Sequence, residues 1–282
     1  MYTGGLLTAV KSRDPTLRHV IPSRSRGGVA AVTSLGDDVF VLRCTSLQQV
    51  EIYDAVSFTL SRFITVHGLG DSAWGLAACG HYKCLYVSDN NHSVHRVKLA
   101  GISVMKWPVA SSPAGLSVNR AHNVVVACFG ANKIQEYTTR GSLVRVTCIM
   151  QADVDRPWHA VQLSTGEYVV SQYGSSGVVS VLGADRQVKR SYGQSQTSDV
   201  GQMKYPTSLA VTKNDDILVA DEDNNRIVSM NSSLSSVQEL ALPVDGGIKH
   251  PWGLCLDESR SRLYVGEYAR DGRLLVFDVV KL

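Results

Sequence analysis

The sequence has no run that approaches the roughly 18 consecutive apolar residues of a membrane-spanning helix, so no membrane partner is expected. Its opening, MYTGGLLTAVKSRDP, has no long apolar core behind a basic start, which argues against a secretion signal and for a cytoplasmic protein. Charge of one sign is scarce. The net charge of +3 is too small to imply binding to a polyanion by itself, and DNA is not an expected partner. The six cysteines (Cys44, Cys79, Cys84, Cys128, Cys148 and Cys255) include no pair with the spacing of a metal knuckle, so reduced thiols are expected. Asn91-His92-Ser93 and Asn231-Ser232-Ser233 match the glycosylation pattern, but without a secretion signal both read as accidental. A phosphate loop, a G-x-S-x-G elbow and an HExxH helix are all missing.

What is present is short, β-branched and repetitive. Hydrophobic residues make up 44% of the chain and charged residues 19%, a globular balance, and 24 glycines suit a turn-dense β fold. In YPTSLAVTKNDDILVADEDNNRIVSM (residues 205–230), three apolar runs are separated by polar turns, TKNDD and DEDNN. Such runs read as a three-stranded meander. The middle run, Ile217 to Ala220, is apolar at successive positions, so both of its faces must be covered.

The pattern recurs six times. Taking the residue before the first apolar pair as an anchor, the copies start near Gly28, Gly75, Gly115, His159, Ser208 and Gly253, 40 to 49 residues apart. Second strands follow as VFVL, LYVS, VVVA, YVVS, ILVA and LYVG, and third strands as VEIY, VHRV, IQEY, VVSVL, IVSM and LLVF. A period of about 45 residues with three or four strands per unit predicts an all-β, six-bladed β-propeller. Five repeats carry a fourth strand, such as LSRFITV from Leu60, but the sixth ends after its third. TLRHVIP (residues 16–22) precedes the first anchor as VQELALP precedes the sixth, so an N-terminal strand is expected to complete the last blade and close the ring. Residues 1–15 then form a tail outside the repeat, and 16–282 one propeller.

The motif P-x-S-L-A-V … I-L-V-A-D … N-N-R-I between Pro206 and Ile227 resembles the NHL repeat, and WGLAACGHYKCLYVSDNNHSVHRV in the second copy is similar. The Asp after the second strand is kept only as Asp89 and Asp221; Arg43, Cys128, Gln172 and Glu267 stand there in the other copies. The resemblance implies a relation to the propellers that end many tripartite-motif ubiquitin ligases, where they capture protein or RNA. No RING, B-box or coiled-coil pattern accompanies it here, so ligase activity is not expected of these residues.

Loops from every blade converge on one face. There the sequence places Trp74, Phe129, Trp158, Tyr173, Tyr205, Trp252 and Tyr268, with His159 and His250 beside two of the tryptophans. Large aromatic rings favour recognition. The tryptophans recur at one repeat position, which equally suits packing between neighbouring blades. Arg24, Arg26, Arg43, Arg156 and Arg270 supply positive charge, with SRSRGG from Ser23 the densest basic cluster. Acidic residues outnumber basic ones on the expected face, so a protein or peptide partner is favoured over single-stranded RNA, which needs cations for its phosphates. A metal-dependent hydrolase or lactonase would need several converging carboxylates or histidines at strand starts. His159 and His250 lack a convincing third ligand, and His92 and His95 point to opposite faces of one strand. Asp221, Asp223 and Asn225 alternate like calcium ligands, but the loop lacks the glycine and distal glutamate of a calcium hand, so they read as turn caps. The expectation is a non-catalytic interaction scaffold with no cofactor or metal.

Overall fold

The structure is a computed structural model. It describes residues 14–23, 27–45, 47–70, 72–101, 103–148, 156–174, 177–193 and 201–279. Six four-stranded antiparallel sheets follow one another along the chain. Their inner strands are Val29–Leu35, Ala73–Cys79, Pro113–Val118, Pro157–Gln162, Pro206–Val211 and Pro251–Asp257. Successive inner strands pack beside one another and the last packs on the first, so the sheets are the blades of a closed ring.

The middle strands explain why the ring must close. In blade 1, Phe40 and Leu42 pack with Leu76, Leu85 and Val87 of blade 2. The residues between them in sequence, Val39 and Val41, pack with Tyr264, Leu274 and Val276 of blade 6. Alternate side chains of one strand thus enter two different cores. The same division gives one apolar cluster at each of the six blade junctions. Each aliphatic side chain buried this way contributes about 1.5–3 kcal/mol over its exposed state.

The closing strand is the one read from the sequence. Thr16–Ile21 pairs antiparallel with Leu274–Asp278, the third strand of blade 6. Ile21 is buried in the junction between blades 6 and 1, and Arg18 pairs with Asp278. Residues 1–13, most of the expected tail, lie outside the described residues.

Strand pairing corrects the anchor of the first blade. Val29 opposes Arg43 as Ala73 opposes Asp89 and Pro251 opposes Glu267. Ala31, not Gly28, is therefore the counterpart of Gly75, Gly115, His159, Ser208 and Gly253. Gly28 occupies the lead-in position of Ser72 and Ser112. Its lack of a side chain has its own cause: a Cβ there would lie 2.8 Å from the Tyr268 Cα.

The position after the second strand is buried in every blade and pairs within its own blade. Asp221 accepts from Arg226 at 2.8 Å and Glu267 from Arg273 at 2.6 Å. Asp89 meets His95 at 2.6 Å, and Gln172 donates to Ser180 at 3.0 Å. Arg43 holds this place in blade 1. Its side chain is 2% exposed, donates to Glu51 at 2.9 Å, and reaches the Gly272 carbonyl of blade 6 at 2.8 Å. It is a strut between blades rather than a surface cation, because its counterparts are all buried strand ends.

His159 is also interior. Its Nδ1 accepts the Leu209 N–H of blade 5 at 3.0 Å, and its Nε2–H donates to the Leu116 carbonyl of blade 3 at 3.0 Å. One neutral imidazole thus ties three blades, and burial pushes its pKa down to about 4. Gly115 makes room for it, since a Cβ there would lie 2.7 Å from the ring.

Two outcomes test this framework. Ile21→Ala is expected to cost about 2–4 kcal/mol by opening a cavity under the closing strand. Urea unfolding reads this, and an unchanged midpoint would show that the strand does not hold the ring shut. His159 must stay neutral in the fold but binds a proton near 6.5 when unfolded. Its contribution is complete above that value, is lost as pH falls from about 6.5 to about 4, and amounts to about 3 kcal/mol. Unfolding free energies measured across that window should fall more steeply for wild type than for His159→Gln, and equal slopes would contradict the staple.

Candidate binding site at one mouth of the propeller

Three layers of equivalent residues build the mouth. The outermost is the lead-in to each inner strand: Gly28, Ser72, Ser112, Arg156, Tyr205 and His250. Each of these carbonyls accepts from the backbone N–H of the residue that follows the buried strand-end position: Cys44, Asn90, Phe129, Tyr173, Glu222 and Tyr268, at 2.8–3.4 Å. These six residues form the second ring. The third is the second residue of each inner strand: Ala30, Trp74, Ala114, Trp158, Thr207 and Trp252.

Blade-to-blade contacts hold the lead-ins in place. Ser112, Arg156, Tyr205 and His250 all precede prolines and all have positive φ, between 43° and 52° for His250 and Tyr205 and 51° and 54° for Ser112 and Arg156. Side-chain-bearing residues adopt this region at a cost of order 1–3 kcal/mol each. The preceding blade offsets it: His92 Nδ1, Asn132 Oδ1 and Asn225 Oδ1 accept the N–H groups of Ser112, Arg156 and His250 at 2.9, 2.9 and 2.7 Å. The second asparagine of the DEDNN turn therefore positions a residue of the next blade.

The innermost layer alternates small residue and tryptophan around the ring. Trp74, Trp158 and Trp252 come from blades 2, 4 and 6, and their ring centroids lie 5.7, 5.5 and 5.1 Å apart. They meet one another on the axis rather than filling gaps between neighbouring blades. Inner strands crowd the axis so closely that a Cβ on Gly75 would lie 2.3 Å from the Ala114 carbonyl oxygen. Three indoles from alternate blades close the space. Beneath them remains a cavity of about 30 Å³, room for about one water, lined in part by His159 and Ser208. The mouth is therefore a floor, not the opening of a channel.

Above that floor the second ring is lopsided. Tyr173 stacks toward Trp158 at 4.7 Å and Tyr205 at 4.8 Å, and Tyr268 toward Trp252 at 4.4 Å. Asn90 is smaller, and Ala114 lies below its side of the mouth. The result is a hollow of about 340 Å³ bounded by Trp74, Asn90, Ser112, Ala114, Phe129, Trp158 and Tyr173, with Trp252 at its back. Tyr173 titrates at about 12, held up by burial and then by the nearby Glu222 carboxylate.

The structure thus brings Trp74, Trp158, Tyr173, Tyr205, Trp252 and Tyr268 into one cluster, with Arg156 above the Phe129 ring at 5.8 Å and His250 on the rim. Trp158 and Trp252 present little surface, at 8% and 4% exposure. Arg43 and His159 lie below the mouth, Arg270 is exposed on the loop after Tyr268, and Arg24 and Arg26 lie outside the described residues. Asn90, Ser112 and Ala114 were not signalled by residue type. Only their places in the corrected repeat alignment mark them. Glu222 was visible merely as one acid among many. In the structure Glu222, Asp223 and His250 bring their ligand atoms within 4.8 Å of one another, the one such group among the described residues. This cluster was missed because His250 suggested His159 as its partner; instead its Nδ1–H donates to Glu222 at 3.1 Å.

Comparison with known proteins agrees with the fold. The NHL repeat pattern matches residues 203–228, in the fifth blade. No curated protein sequence matches the chain. A virginiamycin B lyase from Staphylococcus aureus is similar in structure, with a TM-score of 0.67 at 11% identity, covering 93% of this chain and 99% of its own. An auxiliary nutrient binding protein from Bacteroides thetaiotaomicron has a TM-score of 0.66 at 13% identity, covering 90% of this chain and 70% of its own. The WD40 beta propeller domain of Doa1 has a TM-score of 0.64 at 12% identity, covering 95% and 97%. Identities this low show the fold alone: this chain is a six-bladed propeller with an NHL repeat in its fifth blade.

Proposed function

We propose that this protein is a non-catalytic docking module that receives a segment of a protein partner on the aromatic mouth. The observation that carries the reading is the hollow over Ala114. It is walled by rings, is large enough to take a large side chain with room to spare, and sits where six loops converge, each lead-in bonded within its own blade and three of them also to the preceding blade. Aromatic anchors around a preformed pocket are the usual centre of a protein interface, because they bury much area at little entropic cost. The NHL match supports the same reading, and by resemblance the partner would be a protein captured for modification by a ligase. Ligase chemistry itself is no part of the proposal. The floor of this mouth is indole, and the one converging polar group among the described residues, Glu222, Asp223 and His250, lies beside it.

Single-stranded RNA is the competing occupant, since rings stack on bases as well as on side chains. Asn90→Tyr distinguishes them from an unoccupied surface. It copies the residue that blades 4 and 6 carry at this position into the hollow, so the fold should tolerate it. Short random peptides displayed on phage are expected to enrich on wild type and not on the variant, at equal thermal midpoints and in the presence of EDTA. A randomised RNA pool that binds wild type at physiological salt, with no peptide enrichment, would replace the protein reading.

A further inference from the structure

Glu222 is the one charged member of the second ring, and among the described residues it has no strong cationic partner. Its neighbour in sequence, Asp221, is paired with Arg226, and Glu267 of the next blade with Arg273. No lysine or arginine among the described residues pairs with Glu222 or Asp223. Only His250 reaches Glu222, and its side chain is about half exposed. Yet the Glu222 side chain is 11% exposed, and burial pushes its pKa up from the usual carboxylate range. A carboxylate withdrawn from water in this way is poorly compensated, and an arriving cation would relieve it.

The surroundings suit a cation more than a neutral donor. Glu222 lies between the second-ring residues of the adjoining blades, Tyr173 and Tyr268, and its charge acts on both phenols. Asp223 acts on Tyr173 as well. A guanidinium or ammonium over such a ring gains about 0.5–2 kcal/mol as it is desolvated. The carboxylates of Glu222 and Asp223 lie together on blade 5, so they would fix the direction in which a segment carrying a cation lies.

Resting on the docking reading, we propose that Glu222 and Asp223 take an arginine or lysine side chain of the partner segment, whose large apolar neighbour enters the hollow over Ala114. The mouth thereby selects a basic–apolar pair with the basic residue toward blade 5.

Peptides selected on wild type supply the test. Their sequences should be enriched in Arg or Lys beside a large apolar position, relative to the unselected library. Glu222→Gln/Asp223→Asn keeps shape and should lose the basic preference but keep the apolar one. It should bind the best wild-type peptide roughly ten- to a hundredfold more weakly, with a flatter salt dependence. Tryptophan fluorescence can read the titration, since three of the four tryptophans lie at the mouth. Peptides selected without basic enrichment, or bound equally by the double variant at an unchanged thermal midpoint, would overturn the cation site and leave docking intact. If no peptide is selected that Asn90→Tyr abolishes, docking and the cation site fail together.

Discussion

A strand that is apolar on both faces cannot be satisfied by its own sheet, and everything else in this protein follows from that. Phe40 and Val39 are neighbours in sequence and members of different cores. Each blade therefore needs two neighbours, and only a ring gives every blade both. Ring closure then determines what the ends of the repeat do. Thr16–Ile21 leaves the start of the chain to lie against Leu274–Asp278, because the third strand of blade 6 would otherwise present an unpaired edge.

Closing the ring creates a second constraint at its centre. Six inner strands converge, and side chains at equivalent positions compete for one axis. Six indoles do not fit, and six small residues would leave a hole. The chain alternates Ala30, Trp74, Ala114, Trp158, Thr207 and Trp252, so that three indoles plug the axis and three small residues give them room. The hollow over Ala114 is a by-product of that alternation, enlarged where the second ring carries Asn90 rather than a tyrosine. Site and scaffold are thus not separable: the residues that seal the propeller also make the walls of its mouth.

Much of this was legible as pattern. The spacing of apolar runs carried the blade number, the strand count and the closing strand, because those depend on periodicity alone. Residue type located Trp74, Trp158, Trp252, Tyr173 and Tyr268, since loops that flank inner strands must meet on one face. It misjudged Arg43 and His159, because charge and polarity suggest exposure and only the partners Glu51, Leu116 and Leu209, distant in sequence or on other strands, reveal burial. The anchor of blade 1 slipped by three residues because Gly28 looked like the other glycines. Its true counterparts are the lead-in residues, and strand pairing is what shows it.

The sequence by itself determined the repeat, and with it the all-β ring, since each local run of β-branched residues can satisfy its two apolar faces in only one way. Tertiary structure alone decided which equivalents touch. That Trp74, Trp158 and Trp252 meet each other, that Asn225 holds His250, and that Glu222 stands between Tyr173 and Tyr268 are consequences of closing six units around one axis. Residues a hundred positions apart become neighbours there, and no local signal encodes that distance.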